Sequence, residues 1–211
     1  MTISLMTPSQ ASDVAELHRE SIKTGLTASL GRRFCKTLYL AMASTPYSFI
    51  LVCEDGQKKL VGFICCATNT SKMYRDVIKK NFFPLLFSAL IRLFSLSILK
   101  QAVKAIRRPK KFKTGNFSEW QLPEAEIVSI AVSPQTQGQH IGTKLIKAAF
   151  DKLKDLGHFK VRTWTSEDNK RAVAFYQRQG FEMLGMRQYH TGGIYVFVAN
   201  LKNDKRINFI D

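Results

Sequence analysis

The chain has 211 residues, of which 45% are hydrophobic and 23% are charged, and its formal net charge at pH 7 is +16. This length allows one domain with a substantial core, and this composition excludes a disordered chain. The four cysteines have neither the spacing of metal ligands nor the density of a disulfide scaffold. We therefore expect free thiols, no metal site and a location in the reducing cytoplasm. The N-terminus lacks a basic region followed by an apolar core, so no signal peptide is expected.

The positive charge is concentrated in the middle of the chain. Twelve Lys and Arg residues lie between Lys72 and Lys113, against the single acid Asp76. A local field of this sign favours an anionic partner, such as a phosphorylated ligand, an acidic membrane surface or nucleic acid.

Strands and helices are predicted in turn over the first third of the chain. Ser9 or Ser12 is predicted to cap the first helix, with Asp13 and Glu16 in its first turn. Two apolar runs joined by Glu54-Asp-Gly-Gln57 indicate a β-hairpin. The predicted elements are a strand over 3–6, a helix to residue 22, a break over 25–31, a helix over 32–42, and strands over 48–53 and 60–68.

A basic, apolar helical insertion is predicted over 71–123. It comprises a short helix over 73–80, an apolar helix from 82 to about 108, and a loop over 109–121. The run over 82–99 is as long as a membrane span, but Pro84, Arg92 and three serines interrupt it. A span would also place strands of one sheet on opposite sides of a bilayer, so we expect no span.

Three roles for this insertion remain open. In the first role, its apolar face packs on the domain or on a second subunit. In the second role, it covers the substrate site with its basic residues. In the third role it lies on an anionic membrane surface through 82–113, with Lys100, Lys104 and Arg108 on its polar face.

The centre of the chain has the pattern of an anion-binding strand, loop and helix. An apolar, β-branched run predicts a buried strand over 127–132, and Ser133-Pro134 ends it. Gly138 and Gly142 then lead into a helix with apolar residues at helical spacing. Because the first turn of a helix has unpaired N–H groups and the positive end of the helix dipole, it suits a phosphate.

The spacing of this loop differs from the two commoner phosphate loops. No Gly-x-x-x-x-Gly-Lys-Ser/Thr pattern occurs, and the dinucleotide fingerprint would need a third glycine. Ala131-Val132-Ser133-Pro134, followed by Gln137 and Gly142, instead resembles motif A of the GNAT superfamily, the acyl-CoA-dependent N-acetyltransferases. His140 departs from the motif, because it stands in place of the inner glycine.

A second block strengthens the resemblance. Asn169 to Phe181 is similar to the family's motif B, Asn-x-x-Ala-x-x-Phe/Leu-Tyr-x-x-x-Gly-Phe, at every marked position. A strand predicted over 160–164 separates the blocks, and a hairpin over 181–188 and 194–201 follows them, before a loose tail over 203–211. The resemblance covers 124–200 well and 1–70 weakly.

The resemblance implies the fold class and the cosubstrate. The fold is expected to be α/β (α+β), with a mixed, mostly antiparallel central sheet flanked by helices and a helical insertion between the third and fourth strands. The whole chain, 1–211, is expected to form one N-acetyltransferase domain that uses acetyl-CoA. The residues implied to bind acetyl-CoA are Ile130, Ala131, Val132, Gln137, Gly138, Gln139, His140, Ile141, Gly142, Thr143 and Asn169.

These residues have distinct implied roles. N–H groups from Gln137 to Thr143 hold the pyrophosphate, the strand over 130–132 pairs with the pantetheine arm, and an N–H near Val132 polarises the thioester carbonyl. The imidazole of His140 either donates to a phosphate or faces solvent. Asn169 contacts CoA or anchors a loop, or is a plain N-terminal residue of a helix.

Glu126 and Tyr176 are the predicted catalytic residues. A protonated amine must lose a proton before it attacks, and Glu126 opens the central strand where many family members carry the base. Its alternatives are an ion pair with the basic insertion and a base role for Glu124 or for a water. Ser129 faces away from Glu126 by alternation unless a β-bulge intervenes. Tyr176 matches the tyrosine that protonates the departing thiolate, or is a core aromatic.

The predicted function is therefore transfer of an acetyl group from acetyl-CoA to a primary amine by direct attack. Because the insertion is basic, we expect a small, anionic, amino-sugar-like acceptor over a polyamine or a basic protein tail. A homodimer and a peripheral contact with an anionic membrane are further expected partners, and nucleic acid is not favoured. The alternative is a catalytically weak binding module of the same fold, associated with an anionic membrane surface or nucleic acid.

Overall fold

The computed structural model describes residues 1–22, 26–93, 121–189 and 192–202 and, within them, all side chains except those of 26–29, 88–93 and 189. The helices and strands within these ranges are α1 (Ala11–Ser21), α2 (Leu26–Ser44), α3 (Thr70–Leu93), α4 (Ile141–Asp155), α5 (Lys170–Arg178), β1 (Thr2–Leu5), β2 (Ser48–Glu54), β3 (Leu60–Ala67), β4 (Glu126–Val132), β5 (Lys160–Ser166), β6 (Glu182–Tyr189) and β7 (Gly192–Asn200).

The strands form one sheet in the order β1-β2-β3-β4-β5-β7-β6. β4 and β5 are parallel, and every other neighbouring pair is antiparallel. Helices pack on both faces, and α3 lies between β3 and β4 in the chain. The predicted mixed, mostly antiparallel sheet flanked by helices is therefore confirmed, with a helix at the place of the predicted insertion.

Each face of the sheet has its own apolar core. On one face α4 and α5 bury Ile141, Leu145, Phe150 and Tyr176. On the other face α1, α2 and α3 bury Val14, Leu17, Tyr39, Met42 and Met73. Full burial of a side chain of this size contributes about 1.5–3 kcal/mol. The two cores together hold the sheet between its helices.

A β-bulge in β4 determines which of its side chains share a face. Two consecutive residues of β3 pair with Ile127 and Ser129, so Val128 between them has no opposite partner. A bulge shifts the alternation of side chains by one residue. Ser129 therefore lies on the same face as Glu126, as the sequence predicted for a bulged strand.

The first helix begins differently from the prediction. Gln10 is the N-cap of α1, and neither Ser9 nor Ser12 caps it, because a short 3-10 turn precedes the helix and carries the chain past both positions. Asp13 lies in the first turn as expected, whereas Glu16 is further along the helix.

The predicted break over 25–31 is narrower than expected. Residues 26–30 are helical, and the interruption of α2 is Gly31, with φ 89° and ψ 173°. Glycine adopts this positive φ without a steric cost, which explains why the helix is interrupted here. The helix predicted over 32–42 continues from this point.

α3 includes the short helix predicted over 73–80 and the described beginning of the apolar helix predicted from residue 82. It continues through Pro84 to Leu93, with an irregular residue at Asn81, where φ is −124° and ψ is 20°. A proline removes one intrahelical hydrogen bond, which accounts for an irregularity in the preceding turn. None of the described helices combines the length and the apolarity that crossing a membrane requires. The rest of the predicted insertion, over 94–120, and the tail over 203–211 lie outside the described residues.

Candidate active site

β4 and β5 separate after two paired residues. Glu126 pairs with Arg162 and Ile127 with Thr163, and within the described ranges no further pair joins these strands. β4 continues to pair with β3, and β5 continues to pair with β7. The rest of this edge of β4 therefore faces a gap, where backbone groups are available to an extended ligand. Along this gap lie Ile130, Ala131 and Val132, which the sequence predicts for the pantetheine arm.

The loop between β4 and α4 exposes its backbone. Gly138 has a φ of 86°, and a Cβ built there meets no atom within 4 Å. His140 is the N-cap of α4 with a φ of 57°, a left-handed conformation in which His is more frequent than most residues. Gln137 and Gln139 are exposed beside them. Side chains therefore do not fill the predicted phosphate loop, and His140 adopts the kind of conformation for which a glycine is usually needed.

The first turn of α4 presents unpaired amides beside this loop. Lys144 N donates to the carbonyl of His140 at 3.0 Å, which is the first hydrogen bond of the helix. The N–H groups of Ile141, Gly142 and Thr143 precede that bond and have no partner within the helix. Together with the helix dipole, these groups suit an anion. The exposed imidazole of His140 makes no capping hydrogen bond.

Two glycines allow α4 to lie close to its neighbours. A Cβ on Gly142 would be 3.1 Å from ring atoms of Phe175 on α5. A Cβ on Gly62 of β3 would be 2.9 Å from Ile141 Cγ2 and 3.0 Å from Leu145 Cδ1. All three distances are shorter than ordinary carbon contacts, so the missing side chains determine the position of the helix and of its first amides.

Glu126 is buried at the start of β4, with 9% of its surface exposed. Its Oε2 accepts hydrogen bonds from Arg162 Nε at 2.9 Å and from Thr70 Oγ1 at 3.0 Å. The ion pair that was the alternative for Glu126 is thus present, but its partner belongs to β5 and not to the insertion. Burial and the Glu126 carboxylate raise the pKa of Tyr74 to about 12, so this phenol keeps its proton at neutral pH. Glu124 is exposed and precedes the strand.

A buried chain of hydrogen bonds leads to Ser129. The Tyr39 hydroxyl lies 3.0 Å from Ser129 Oγ and 2.6 Å from His18 Nδ1. Burial raises the pKa of Tyr39 well above its usual value and lowers the pKa of His18, so both groups are neutral near pH 7. In the described part of the molecule, His18 Nε2 is buried without a hydrogen-bond partner.

The sequence alone did not reveal this network of hydrogen bonds. His18 and Tyr39 lie 21 residues apart, and each is an unremarkable residue on a helix. Only the packing of α1 against α2 brings them together, and only the bulge directs Ser129 towards them. No local pattern would have revealed the three residues as one group.

Tyr176 lies next to the point where β4 and β5 separate. Its hydroxyl is hydrogen-bonded to Thr163, whose own hydroxyl donates to the Ile127 carbonyl at 3.1 Å. Phe181 and Phe197 pack against its ring, with centroids 5.4 Å and 5.8 Å away. Burial raises the pKa of Tyr176, so the phenol keeps its proton near neutral pH. The residue thus combines the packing of a core aromatic with a protonated hydroxyl beside the gap.

Asn169 is the N-cap of α5. Its Oδ1 accepts a hydrogen bond from Ala172 N at 3.1 Å. This contact matches the simpler of the two roles considered for Asn169, because capping alone explains the choice of residue. A contact with CoA stays a prediction.

The gap, the loop and the polar residues of β4 meet around one strand. Unpaired backbone edges and helix-terminal amides favour an extended, anionic ligand. A carboxylate and a chain of hydroxyl groups lie on one face of the strand, and a phenol lies on the other. Such an arrangement can bind a phosphorylated chain and move protons at its end.

Comparison with known proteins finds a family model and several relatives that match part of the chain. A model of the Acetyltransferase (GNAT) family matches residues 111–181. An uncharacterized N-acetyltransferase of Methanocaldococcus jannaschii is 45% identical over 58 residues, which are 28% of this chain and 26% of that protein. N-alpha-acetyltransferase 30 of Schizosaccharomyces pombe is 38% identical over 55 residues, which are 26% of this chain and 37% of that protein. The matched region is therefore well under two thirds of either relative.

Solved structures agree with the assignment at the level of the fold. A spermidine N-acetyltransferase chimera from Vibrio cholerae aligns over 98% of each chain, with a TM-score of 0.61 and 17% identity. The two sequence motifs, the sheet that opens between β4 and β5, and the matching family model all indicate the same architecture. Residues 111–181 of the chain therefore match the GNAT family of acetyltransferases, and the described structure shares its fold with solved acetyltransferases.

Proposed function

We propose that this protein is an N-acetyltransferase that transfers an acetyl group from acetyl-CoA to a primary amine. The observation that carries the proposal is the gap between β4 and β5, which lies beside the exposed amides at the start of α4. One element offers hydrogen bonds to an extended arm and the other offers them to a diphosphate. We further propose that the chain acts as a single domain over 1–211.

The donor would lie along β4 with its diphosphate at the loop. N–H groups from Gln137 to Thr143 would bind the diphosphate, and the open position at Gly138 would let the backbone approach it. Ile130 and Val132 would offer backbone groups to the pantetheine arm, with an N–H near Val132 at the carbonyl. Acetyl-CoA supplies an activated acyl group and a thiolate leaving group.

Proton transfer is assigned to residues on both faces of β4. Glu126 would accept the proton of the amine, directly or through water, because it is the buried carboxylate at the start of the strand. Tyr176 would donate its hydroxyl proton to the departing sulfur, since its phenol is protonated and lies beside the gap. Ser129, held by Tyr39, would orient the amine on the face of Glu126.

The acceptor is proposed to be a small amine that carries negative charge. The net charge of +16 repels a polyamine or a basic protein tail and attracts an anion. The names of the similar proteins cover both spermidine and protein N-terminal acceptors, so they do not favour one class. The charge of this chain is the argument for an anionic, amino-sugar-like acceptor.

The test combines donor binding with turnover. The full chain is titrated with acetyl-CoA in a calorimeter, and release of CoA is then followed with an amino-sugar nucleotide, spermidine or a peptide with a free N-terminus. We expect heat on titration and the fastest release with the amino-sugar nucleotide. A preference for spermidine would contradict the acceptor class only. Absence of both heat and release would contradict the enzyme.

A binding module of the same fold is the second candidate. It is favoured by the contacts of Glu126 and Tyr176, whose polar atoms already have partners in Arg162 and Thr163. Such a protein would bind acetyl-CoA but release no CoA with any amine. Turnover with one of the three acceptors would eliminate this candidate.

A further inference from the structure

From Ile78 onward, α3 exposes a cluster of large apolar side chains. We define the α3 apolar surface as Ile78, Phe82, Phe83, Leu86 and Phe87. Phe83 is 78% exposed and Phe87 is 69% exposed, and both line a shallow apolar depression with Pro84 and Leu86. Monomeric proteins rarely leave several such residues together in water, so this surface indicates a contact.

The first half of α3 shows why this surface is not part of the core. Met73 and Val77 are buried against α1 and α2, which is what an amphipathic helix does. After the irregularity at Asn81 the helix changes character, and Phe82 and Phe83 are both exposed although they are neighbours. The described domain therefore buries one face of the first half of α3, whereas among the described side chains of the second half Leu85 packs against this core and its large apolar neighbours do not.

Positive charge accompanies the apolar surface. Arg75 and Lys79 lie four residues apart before the irregularity at Asn81, Phe83 and Phe87 lie four residues apart after it, and all four side chains are exposed. The one acid of this helix, Asp76, is paired with Lys80 at 3.0 Å. From residue 77 to residue 118 the sequence contains no Asp or Glu. The surface thus combines exposed aromatic side chains with exposed cations.

We propose that the α3 apolar surface docks on an anionic lipid bilayer. Aromatic and aliphatic side chains enter the boundary between headgroups and acyl chains, and the adjacent Lys and Arg residues contact acidic headgroups. The helix lies in the plane of the interface, since no described helix can cross a bilayer. The proposal goes beyond acetyl transfer, and its test does not require turnover.

Charge argues against the two other partners. A second copy of the chain would bring two surfaces of the same sign together, which is unfavourable. Single-stranded nucleic acid uses aromatic side chains in a positive groove, whereas the depression on α3 is lined by apolar residues alone and Ile78 and Leu86 offer no stacking surface. A bilayer with acidic lipids satisfies both the apolar and the cationic residues.

The experiment measures sedimentation of the full chain with vesicles. One vesicle consists of phosphatidylcholine alone and the other of equal parts phosphatidylcholine and phosphatidylglycerol. We expect binding to the second vesicle only, weakened by salt. The variant F83S/F87S should reduce the partition coefficient at least about tenfold, because two apolar side chains no longer enter the interface.

A matched control changes two exposed leucines elsewhere. L5S/L156S removes side chains that are 53% and 51% exposed and that lie outside α3, so it should bind vesicles as the wild-type chain does. A cooperative unfolding transition in urea, compared with that of the wild-type chain, checks that the variants are folded.

Three results would overturn the proposal. These are no sedimentation with anionic vesicles, equal sedimentation of wild type and F83S/F87S, or a dimer or an oligonucleotide complex that F83S/F87S alone abolishes.

Discussion

The Tyr39 hydroxyl lies 3.0 Å from Ser129 Oγ, and this hydrogen bond connects α2 to the bulged part of β4. The same hydroxyl contacts His18 Nδ1 at 2.6 Å. Three elements therefore meet at one buried oxygen, beside the strand that faces the gap. The position of Ser129, which the bulge directs to the face of Glu126, is therefore supported by hydrogen bonds that involve α1 and α2.

Replacement of Tyr39 by Phe should lower the free energy of unfolding by about 1–3 kcal/mol, because His18 Nδ1 then lacks its partner in the core. Denaturation in urea measures the change. The control is Tyr47→Phe, which changes a half-buried tyrosine that takes no part in the hydrogen bonds of His18 and Ser129. We expect it to change the free energy of unfolding by no more than about 0.5 kcal/mol. Equal losses for the two variants would show that the hydrogen bond to His18 contributes nothing.

The stability of the protein should fall with pH below about 6.5, and His18 should account for part of this loss. Burial lowers the pKa of His18, so below about 6.5 the unfolded chain binds a proton that the folded chain does not. The contribution is complete above that pH and decreases as pH falls towards the folded pKa, by at most about 1.4 kcal/mol per unit. Tyr39, the neighbour of His18, stays neutral in this range.

The variant His18→Gln should flatten this pH dependence, measured as urea denaturation at a series of pH values. His158→Gln is the control, because His158 is only half-buried. If the free energy of unfolding of His18→Gln depends on pH as steeply as that of the wild-type chain, His18 does not contribute to the loss of stability at low pH.

Gly138→Ala should weaken binding of acetyl-CoA by roughly tenfold, because a Cβ in the loop disturbs the amides proposed to bind the diphosphate. Gly157→Ala is a matched control at the other end of α4, since its φ of 82° is close to the 86° of Gly138 and both sites are open. Each variant should lose about 1–2 kcal/mol of stability from its positive φ. Calorimetric titration with acetyl-CoA should show weaker binding for Gly138→Ala and wild-type affinity for Gly157→Ala. Equal affinities would exclude the loop as the binding site.

The roles of Glu126 can be separated by a pair of substitutions. Glu126→Gln alone leaves the half-buried Arg162 without its charge partner and should cost about 3 kcal/mol of stability and at least about 100-fold in kcat. Adding Arg162→Met removes the unpaired charge and should restore most of the stability. If Glu126 is the base, kcat stays low in the double variant. Recovery of kcat together with stability would show that Glu126 is only structural.

Tyr176→Phe should lower kcat by about 100-fold and leave the affinity for acetyl-CoA unchanged, because the hydroxyl is proposed to act on the leaving group only. Tyr195→Phe is the control, since its ring also packs against Phe197. Turnover is measured across pH. A pH profile that is identical in wild type and Tyr176→Phe would contradict the role of proton donor.

The sequence predicted the part of the site that depends on local patterns. The apolar run before Ser133, the glycines at 138 and 142 and the capping Asn169 each belong to a short stretch whose geometry follows from its own residues. The face of Ser129 was predictable only on the condition of a bulge, because the pairing of β4 with β3 decides whether the alternation shifts.

What the sequence did not predict depends on tertiary contacts. The partner of Glu126 is Arg162, which lies opposite it only because β4 and β5 are parallel neighbours. Ser9 and Ser12 are good capping residues, yet the turn before α1 moved the cap to Gln10. Propensity identifies candidates for a cap or an ion pair, and the surrounding fold selects among them.

Gly62 has a consequence beyond its own strand. It touches no proposed ligand, yet its lack of a side chain allows Ile141 and Leu145 to reach β3. A methyl group there would push the beginning of α4 outward and carry the loop amides with it. A substitution at Gly62, beneath α4, would thus change the affinity for the proposed donor. A search for affinity-changing substitutions that is confined to ligand contacts would overlook this position.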